Sequence, residues 1–200
     1  EDPGNKRFNI SVTNKIISGY SKNCLNLAKL IYSNKYSKLT SVSNLKVAEM
    51  TKLLENIYRS INIGLVNEMK IICDSMSIDI DEVIEAAKTK PFGFQAFYPG
   101  PGVGGHCIPI DPYYLQWQAK KYGINSRFIK LAGEINDLMP KYTVDSLKKS
   151  LKSRKLILKK SKILILGLSY KKNINDMRES PSLKIIKILS KLGCEIYFND

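Results

Sequence analysis

The residues best placed to do chemistry lie between Gly100 and Asp111, where four glycines (Gly100, Gly102, Gly104, Gly105) crowd around Pro101 ahead of His106, Cys107 and Asp111. Glycine tolerates positive φ and lets backbone N–H groups come close to a ligand. The segment therefore offers a thiol on a tight loop, four residues ahead of a carboxylate. A thiolate can add to an aldehyde carbon while a nearby Asp carries protons or orders water, so covalent catalysis is one reading. The other is a buried structural cysteine in a tight turn. Neither phosphate-cradling motif fits: there is no GxxxxGK[ST], and these glycines do not follow a strand. His106 adjoins Cys107, but neighbours in sequence rarely point at each other, so a Cys-His dyad is not expected. With one histidine and four scattered cysteines (Cys24, Cys73, Cys107, Cys194), neither a zinc site nor a disulfide framework is expected.

A second pair, Lys52 and Asn56, sits on what reads as a long helix. Side chains four apart leave one helical face and can converge on a single oxygen, as donors to an oxyanion must. Lys and Asn at this spacing are also common on solvated faces, and the pair alone does not choose.

These residues need a scaffold, and the apolar pattern supplies mostly helices. Glu1–Arg7 reads as a loop, followed by a helix from about Lys15 to Tyr32 with Ile16, Ile17, Tyr20, Cys24, Leu27 and Leu30 on one side. Asn44 to Ser75 contains no Pro and a single Gly64, with apolar residues at Leu45, Ala48, Leu53, Ile57, Ile61, Leu65, Met69 and Ile72. One helix of about 30 residues is expected there, and its stripe must be covered along its length, as a bundle spine or a subunit interface. Asp79 caps a helix over 80–89, and periodicity vanishes from Lys90 to Ile110. Further helices are expected at 112–121, with Pro112 in the favoured first position, at 128–135 and at 140–152. The run Lys162-Ile163-Leu164-Ile165-Leu166-Gly167 has the pattern of a parallel strand covered on both faces. A helix over 182–192 and a strand over 195–199 follow, giving β-loop-α-β, the opening of a doubly wound sheet. The fold class is therefore α/β overall, an all-helical part followed by a first βαβ. Because the chain opens without Met in mid-loop and one βαβ cannot bury a sheet, it is expected to be a fragment.

Composition bounds the rest. Two hundred residues, 44% hydrophobic and 25% charged, suit one domain or two small ones and exclude collagen-like or disordered chains. No apolar run approaches the roughly 18 to 20 residues of a membrane span, and the first residues are no signal peptide, so a soluble cytoplasmic protein is expected. A net charge of +14, from 32 Lys+Arg against 18 Asp+Glu, raises nucleic acid as a partner. Only five of those cations are arginine, and the lysines are spread along the chain rather than interleaved with aromatics. The charge is read as solvated faces, with no nucleic acid, membrane or metal expected. A basic nucleic-acid-binding helical module remains the non-enzymatic alternative, recognisable by steeply salt-dependent binding to random DNA.

The run from Tyr98 through Pro99, Gly100, Pro101, Gly102, Val103, Gly104, Gly105, His106, Cys107, Ile108, Pro109, Ile110, Asp111, Pro112, Tyr113 and Tyr114 to Leu115 resembles the active-site loop of the UDP-glucose/GDP-mannose dehydrogenase family. Val47-Ala48-Glu49-Met50-Thr51-Lys52-Leu53-Leu54-Glu55-Asn56 resembles its central helix. Gly167-Leu168-Ser169-Tyr170-Lys171 through Asp176-Met177-Arg178-Glu179-Ser180 resembles the start of its C-terminal domain. Three motifs in this order span nearly the whole chain, and the likeness is nearest to the bacterial UDP-N-acetylglucosamine 6-dehydrogenases of polysaccharide synthesis.

The resemblance implies an NAD-dependent, four-electron oxidation of a UDP-sugar C6 alcohol to the carboxylate, through a cysteine thiohemiacetal and thioester. UDP-N-acetylglucosamine is the implied substrate, with UDP-N-acetylmannosamine and UDP-glucose as alternatives; a degenerate module that only dimerises is the alternative without activity. Carried over, Cys107 is the nucleophile, Asp111 orders water and handles protons, and Lys52 and Asn56 hold the oxyanion. Tyr98, Gly102, Gly104 and Gly105 bring the loop against the sugar, Lys171 meets the sugar nucleotide, and Arg178 reaches NAD. The implied organisation is the end of an N-terminal domain at 1–43, a central helical dimerisation and substrate domain at 44–153, and the start of a Rossmann-like UDP-sugar-binding domain at 161–200, with a homodimer through the long helix. Two departures stand out. The NAD-binding domain, with its GxGxxG loop and a glutamate that activates water, is expected before Glu1, which would leave the isolated chain inactive. Asn175 stands where many relatives have Asp. Only Gly167 follows the strand at 162–166, so this half lacks a dinucleotide fingerprint and fits the nucleotide sugar.

Overall fold

The structure, a computed structural model, describes residues 9–200; the loop expected at Glu1–Arg7 lies outside them. The chain divides into two compact units, one reaching Glu55 and including Lys172–Ile174, the other comprising Asn56–Lys171 and Asn175–Asp200.

The first unit corrects the expected helix over 15–32. Lys15–Ile17 form a strand, β1, which pairs in parallel with β2 (Leu39–Ser41), and the helix α1 begins only at Lys22 and ends at Ser33. The β-branched pair Ile16-Ile17 suits a strand, and Ile17 is buried. Gly19 lets the chain turn tightly, since a Cβ there would lie 2.3 Å from the Leu25 nitrogen. Ser21 then caps α1 by accepting from the Cys24 N–H at 3.2 Å. Local periodicity could not reveal β2, because its partner lies across the whole of α1. Tyr20, Leu27 and Leu30, placed with Ile16 and Ile17 on one side of the expected helix, are exposed.

Helix α2 (Leu45–Ser75) matches its expected length, started by Asn44, whose Oδ1 accepts from the Val47 N–H at 3.0 Å. In the second unit α3 (Ile80–Lys88) is capped by Asp79 as expected, and Ile80 and Ile84 pack with Cys73 and Ala96. Residues 90–110 form neither helix nor strand. Helix α4 (Asp111–Lys120) has Pro112 in its first turn. Two separate helices were expected at 128–135 and 140–152, but a single one, α5 (Arg127–Ser153), runs through Pro140. Proline ordinarily breaks a helix by removing one i→i−4 bond and crowding the preceding turn. Here Pro140 is buried, with neighbours Met139 and Val144 almost fully covered, so packing of the surrounding turns outweighs the single missing bond.

The C-terminal segment is the expected β-loop-α-β. Strands β3 (Lys162–Leu166) and β4 (Glu195–Asn199) pair in parallel, Ile163 opposite Ile196 and Ile165 opposite Phe198, with α6 (Pro181–Lys191) between them in sequence. Val144 of α5 packs with Ile185 and Leu189 of α6, and Ile163, Ile165 and Ile196 close this core from the sheet. Coverage on both faces was expected of β3, yet Leu164 and Leu166 are exposed: α6 shields one face only. No helix among the described residues is long and apolar enough to cross a membrane.

Candidate active site

The glycine loop is pinned to its surroundings at each step. The Gly100 N–H donates to Asn67 Oδ1 of α2 at 2.9 Å. Gly102, at φ +130°, approaches α5 so closely that a Cβ would lie 3.3 Å from the Asn136 carbonyl oxygen and 3.4 Å from the Pro140 ring. That carbonyl is the one Pro140 leaves without its helical donor, so the kink-prone turn and the glycine approach occur together. The Gly105 N–H, with φ +84°, donates to the Arg178 carbonyl at 2.9 Å, and the Tyr170 ring lies against it. Beyond Cys107 the chain enters α4 directly, the Cys107 carbonyl accepting from Asp111 N at 2.8 Å and Ile110 N at 3.2 Å.

Gly104 is the most confined of these positions. A Cβ there would lie 2.5 Å from Tyr170 Cβ, 3.0 Å from Pro181 Cδ and 3.1 Å from the Glu179 carbonyl oxygen. Neither backbone nor a Cβ can swing aside, so Gly104→Ala should destabilise the second unit by about 1–3 kcal/mol, the usual range for forced overpacking. A lowered urea midpoint at unchanged slope would show it; an unchanged midpoint would mean the loop is free to move.

Cys107 is half-buried at the head of α4, while His106 is exposed. Asp111 is brought against Asn56: Asn56 Nδ2 donates to Asp111 Oδ2 at 2.5 Å, and Asn56 is fully buried. The Asn56 Oδ1 accepts in turn from Arg59 Nη2. An amide so placed has its orientation determined, one N–H on the carboxylate and its oxygen on the guanidinium, with its second N–H still to donate. Arg59 was not singled out in the sequence, although its position three residues past Asn56 puts it on the same helical face.

Lys52 lies in the first unit, exposed, with Nζ 3.9 Å from Glu55 Oε2. Tyr98 is exposed, its hydroxyl donating to Glu85 Oε1 at 2.6 Å and accepting from Lys88 Nζ at 3.2 Å. Lys171 follows Tyr170 at the edge of the glycine loop and is half-buried. Arg178 grips Asp176 through Nε at 2.9 Å and Nη2 at 2.5 Å, and its hydrogen bonds hold the Asp176 carboxyl down at about 2. Asp176 therefore stays ionised, and the pair is retained until pH falls towards that value.

The turn after β3 does not fit a dinucleotide pyrophosphate. Its donors are already taken by Asp200, whose carboxylate accepts from Leu168 N at 2.8 Å, Ser169 N at 3.2 Å and Ser169 Oγ at 2.6 Å. Hydrogen bonding to Ser169 and these backbone groups lowers the Asp200 pKa, so a second anion there would meet a carboxylate.

A helical unit carrying a pinned cysteine loop, joined to a parallel βαβ, has the architecture of nucleotide-sugar dehydrogenases. Residues 46–138 match the central domain of the UDP-glucose/GDP-mannose dehydrogenase family, and residues 164–200 match its UDP binding domain. The chain belongs to that family. It is 40% identical over 97% of its length to a UDP-N-acetyl-D-mannosamine dehydrogenase of Methanococcus maripaludis, covering 44% of that protein. It is 35% identical over 98% of its length to a UDP-N-acetyl-D-glucosamine 6-dehydrogenase of Pseudomonas aeruginosa, covering 46% of it. The solved UDP-D-ManNAc dehydrogenase of Pyrococcus horikoshii superposes with a TM-score of 0.86 at 33% identity, over 95% of this chain and 46% of that one. The chain thus spans less than half the length of these relatives.

Proposed function

We propose that the whole protein oxidises the C6 alcohol of a UDP-N-acetylhexosamine to the carboxylate, with NAD as acceptor, and that this chain supplies the covalent half of the site. One observation carries the reading: a half-buried Cys107 sits on a loop pinned from Gly100 to Asp111, with the Asp111 carboxylate fixed by buried Asn56. The Cys107 thiolate adds to the C6 aldehyde carbon, forming the C–S bond, and the carbonyl oxygen takes up the negative charge. Donors from Lys52 and Asn56 hold that oxygen. Asp111 orders water and accepts its proton as the water attacks the thioester carbon, and the sulfur departs as thiolate. The two oxidations require a nicotinamide acceptor, which the turn after β3 does not fit. Gly102, Gly104, Gly105 and Tyr98 line the approach of the sugar, with Lys171 towards its nucleotide and Arg178 towards the cofactor.

The domain reading is 44–153 as the central helical domain and 161–200 as the start of the UDP-sugar half. A homodimer through α2 is favoured by the exposed Tyr58, Leu65, Met69 and Ile72, which fall along one side of the helix. A cytoplasmic location accords with a nucleotide-sugar substrate.

UDP-N-acetylglucosamine is the first reading of the substrate, on the wording of the loop. UDP-N-acetylmannosamine is the second, favoured by the 40% identical relative of that name. Absorbance at 340 nm should show two NADH formed per sugar with one of the two and far less with UDP-glucose. A single NADH per sugar would overturn the four-electron scheme. No NADH with any of the three, from folded protein that binds NAD, would overturn the enzymatic reading.

A further inference from the structure

Besides Ile57 and Cys73, the buried residues of α2 are polar or glycine: Asn56, Ser60, Gly64 and Asn67 recur at helical spacing and are all buried, whereas Leu65, Met69 and Ile72 are exposed. A buried amide is costly unless both of its ends are paired, and both asparagines are paired with the two ends of the cysteine loop. Asn56 holds Asp111, and Asn67, about three helical turns or roughly 16 Å further along, holds the Gly100 N–H. One rigid helix thus fixes the loop before and after Cys107.

The Asn67 amide is itself oriented. The Ser60 carbonyl can only accept, so it takes the Asn136 Nδ2 at 3.1 Å and turns the Asn136 Oδ1 towards Asn67. The Asn67 Nδ2 donates to that oxygen at 2.9 Å, which leaves the Asn67 Oδ1 facing Gly100. A flipped Asn67 would set its NH2 against the Gly100 N–H and its oxygen against the Asn136 oxygen. The relay Ser60–Asn136–Asn67–Gly100 therefore has one polarity.

We propose that Asn67, oriented by Asn136, is a positioning residue for Cys107: the relay sets the path of the glycine loop and so the approach of the thiol to its electrophile. The catalytic consequence rests on the reading of Cys107 as nucleophile, but the positioning can be measured without turnover. The test uses the intact gene product carrying Asn67→Ala. Amide exchange of the peptide over 97–105 should quicken at least tenfold, and alkylation of Cys107 by iodoacetamide, followed by peptide mapping, should change at least threefold. Exchange in α6 should stay within twofold, which separates positioning from general loosening. If the parent turns over a UDP-sugar, kcat should fall at least tenfold with KM within threefold, as expected when a reacting group is misplaced while substrate binding is kept. Loop exchange and alkylation both within twofold of the parent would overturn the proposal even if the parent were inactive, so its failure is distinct from failure of the enzymatic reading. Should Asn67→Ala not fold, Asn136→Ser carries the test, since it frees the Asn67 amide to flip while leaving the Gly100 partner in place. A threefold or greater rise in loop exchange supports the relay; no rise, or failure of both variants to fold, makes these asparagines structural and overturns it.

Discussion

Replacing Cys107 by alanine in the intact gene product should lower the net conversion of UDP-sugar to UDP-uronate by about a thousandfold or more. The thiol is the only group on the pinned loop able to form a covalent bond to an aldehyde carbon at neutral pH, and without it the second oxidation loses its thiohemiacetal. The geometry makes a general folding defect an unsatisfactory explanation for such a loss. Cys107 is half-buried, its carbonyl rather than its sulfur holds the first turn of α4, and alanine preserves that bond to Asp111 N at 2.8 Å. The melting temperature should move little while uronate formation, followed by NADH at 340 nm and product chromatography, collapses. A variant keeping a tenth of the parental rate would mean that water adds to the aldehyde unaided and that Cys107 is a packing residue.

Asn56→Ala should cost about a hundredfold to a thousandfold in kcat, the range seen when one donor to a developing oxyanion is removed. Two further losses accompany it. Asp111 Oδ2 gives up its 2.5 Å donor, and Arg59 gives up its acceptor, in a position with no exposure to water. Asp111 and Arg59 are half-buried, so losing these bonds destabilises by about 1 kcal/mol, and a modestly lowered melting temperature is expected beside the kinetic defect. Asn56→Asp discriminates the two effects. It keeps the size and the oxygen facing Arg59 but sets a second carboxylate against Asp111, and two carboxylates side by side hold one proton between them to a higher pH than either would alone. Its defect should therefore ease as pH falls, as protonation restores a donor between the two groups. A pH profile parallel to that of the parent would place Asn56 outside hydrogen-bonding reach of Asp111 in the working enzyme.

The site was partly legible in the residues themselves. Cys107 and Asp111 follow glycines in a stretch without periodicity and so stand out by type and spacing, whereas Lys52 and Asn56, one turn apart, gained weight only from the resemblance. Arg59, Asn67 and Asn136 did not stand out. The signal that could have found Asn67 is a polar amide recurring on one side of a long helix, yet an asparagine on a helix reads as solvated until something is known to cover it, and Asn136 stands alone between the two helices expected there. The structure shows what covers Asn67: Gly100 and Asn136, which lie far from it in sequence.

Chain-local physics accounts for the elements that could be read from the residues. The lack of proline between Leu45 and Ser75, the caps Asn44 and Asp79, and the apolar run at 162–166 specify α2, α3 and β3 because each depends on residues within a few positions. Three other features depended on partners brought in by the fold. Lys15–Ile17 became a strand because β2 supplied a partner from beyond α1, and α5 continued through Pro140 because buried neighbours outweighed one missing hydrogen bond. On α2, the periodicity located an apolar stripe of which only Ile57 is buried, and the rest of the buried side, apart from Cys73, proved to be Asn56, Ser60, Gly64 and Asn67. Burial of a polar group depends on whether a partner arrives from a distant part of the chain to complete its hydrogen bonds, and no local pattern contains that information.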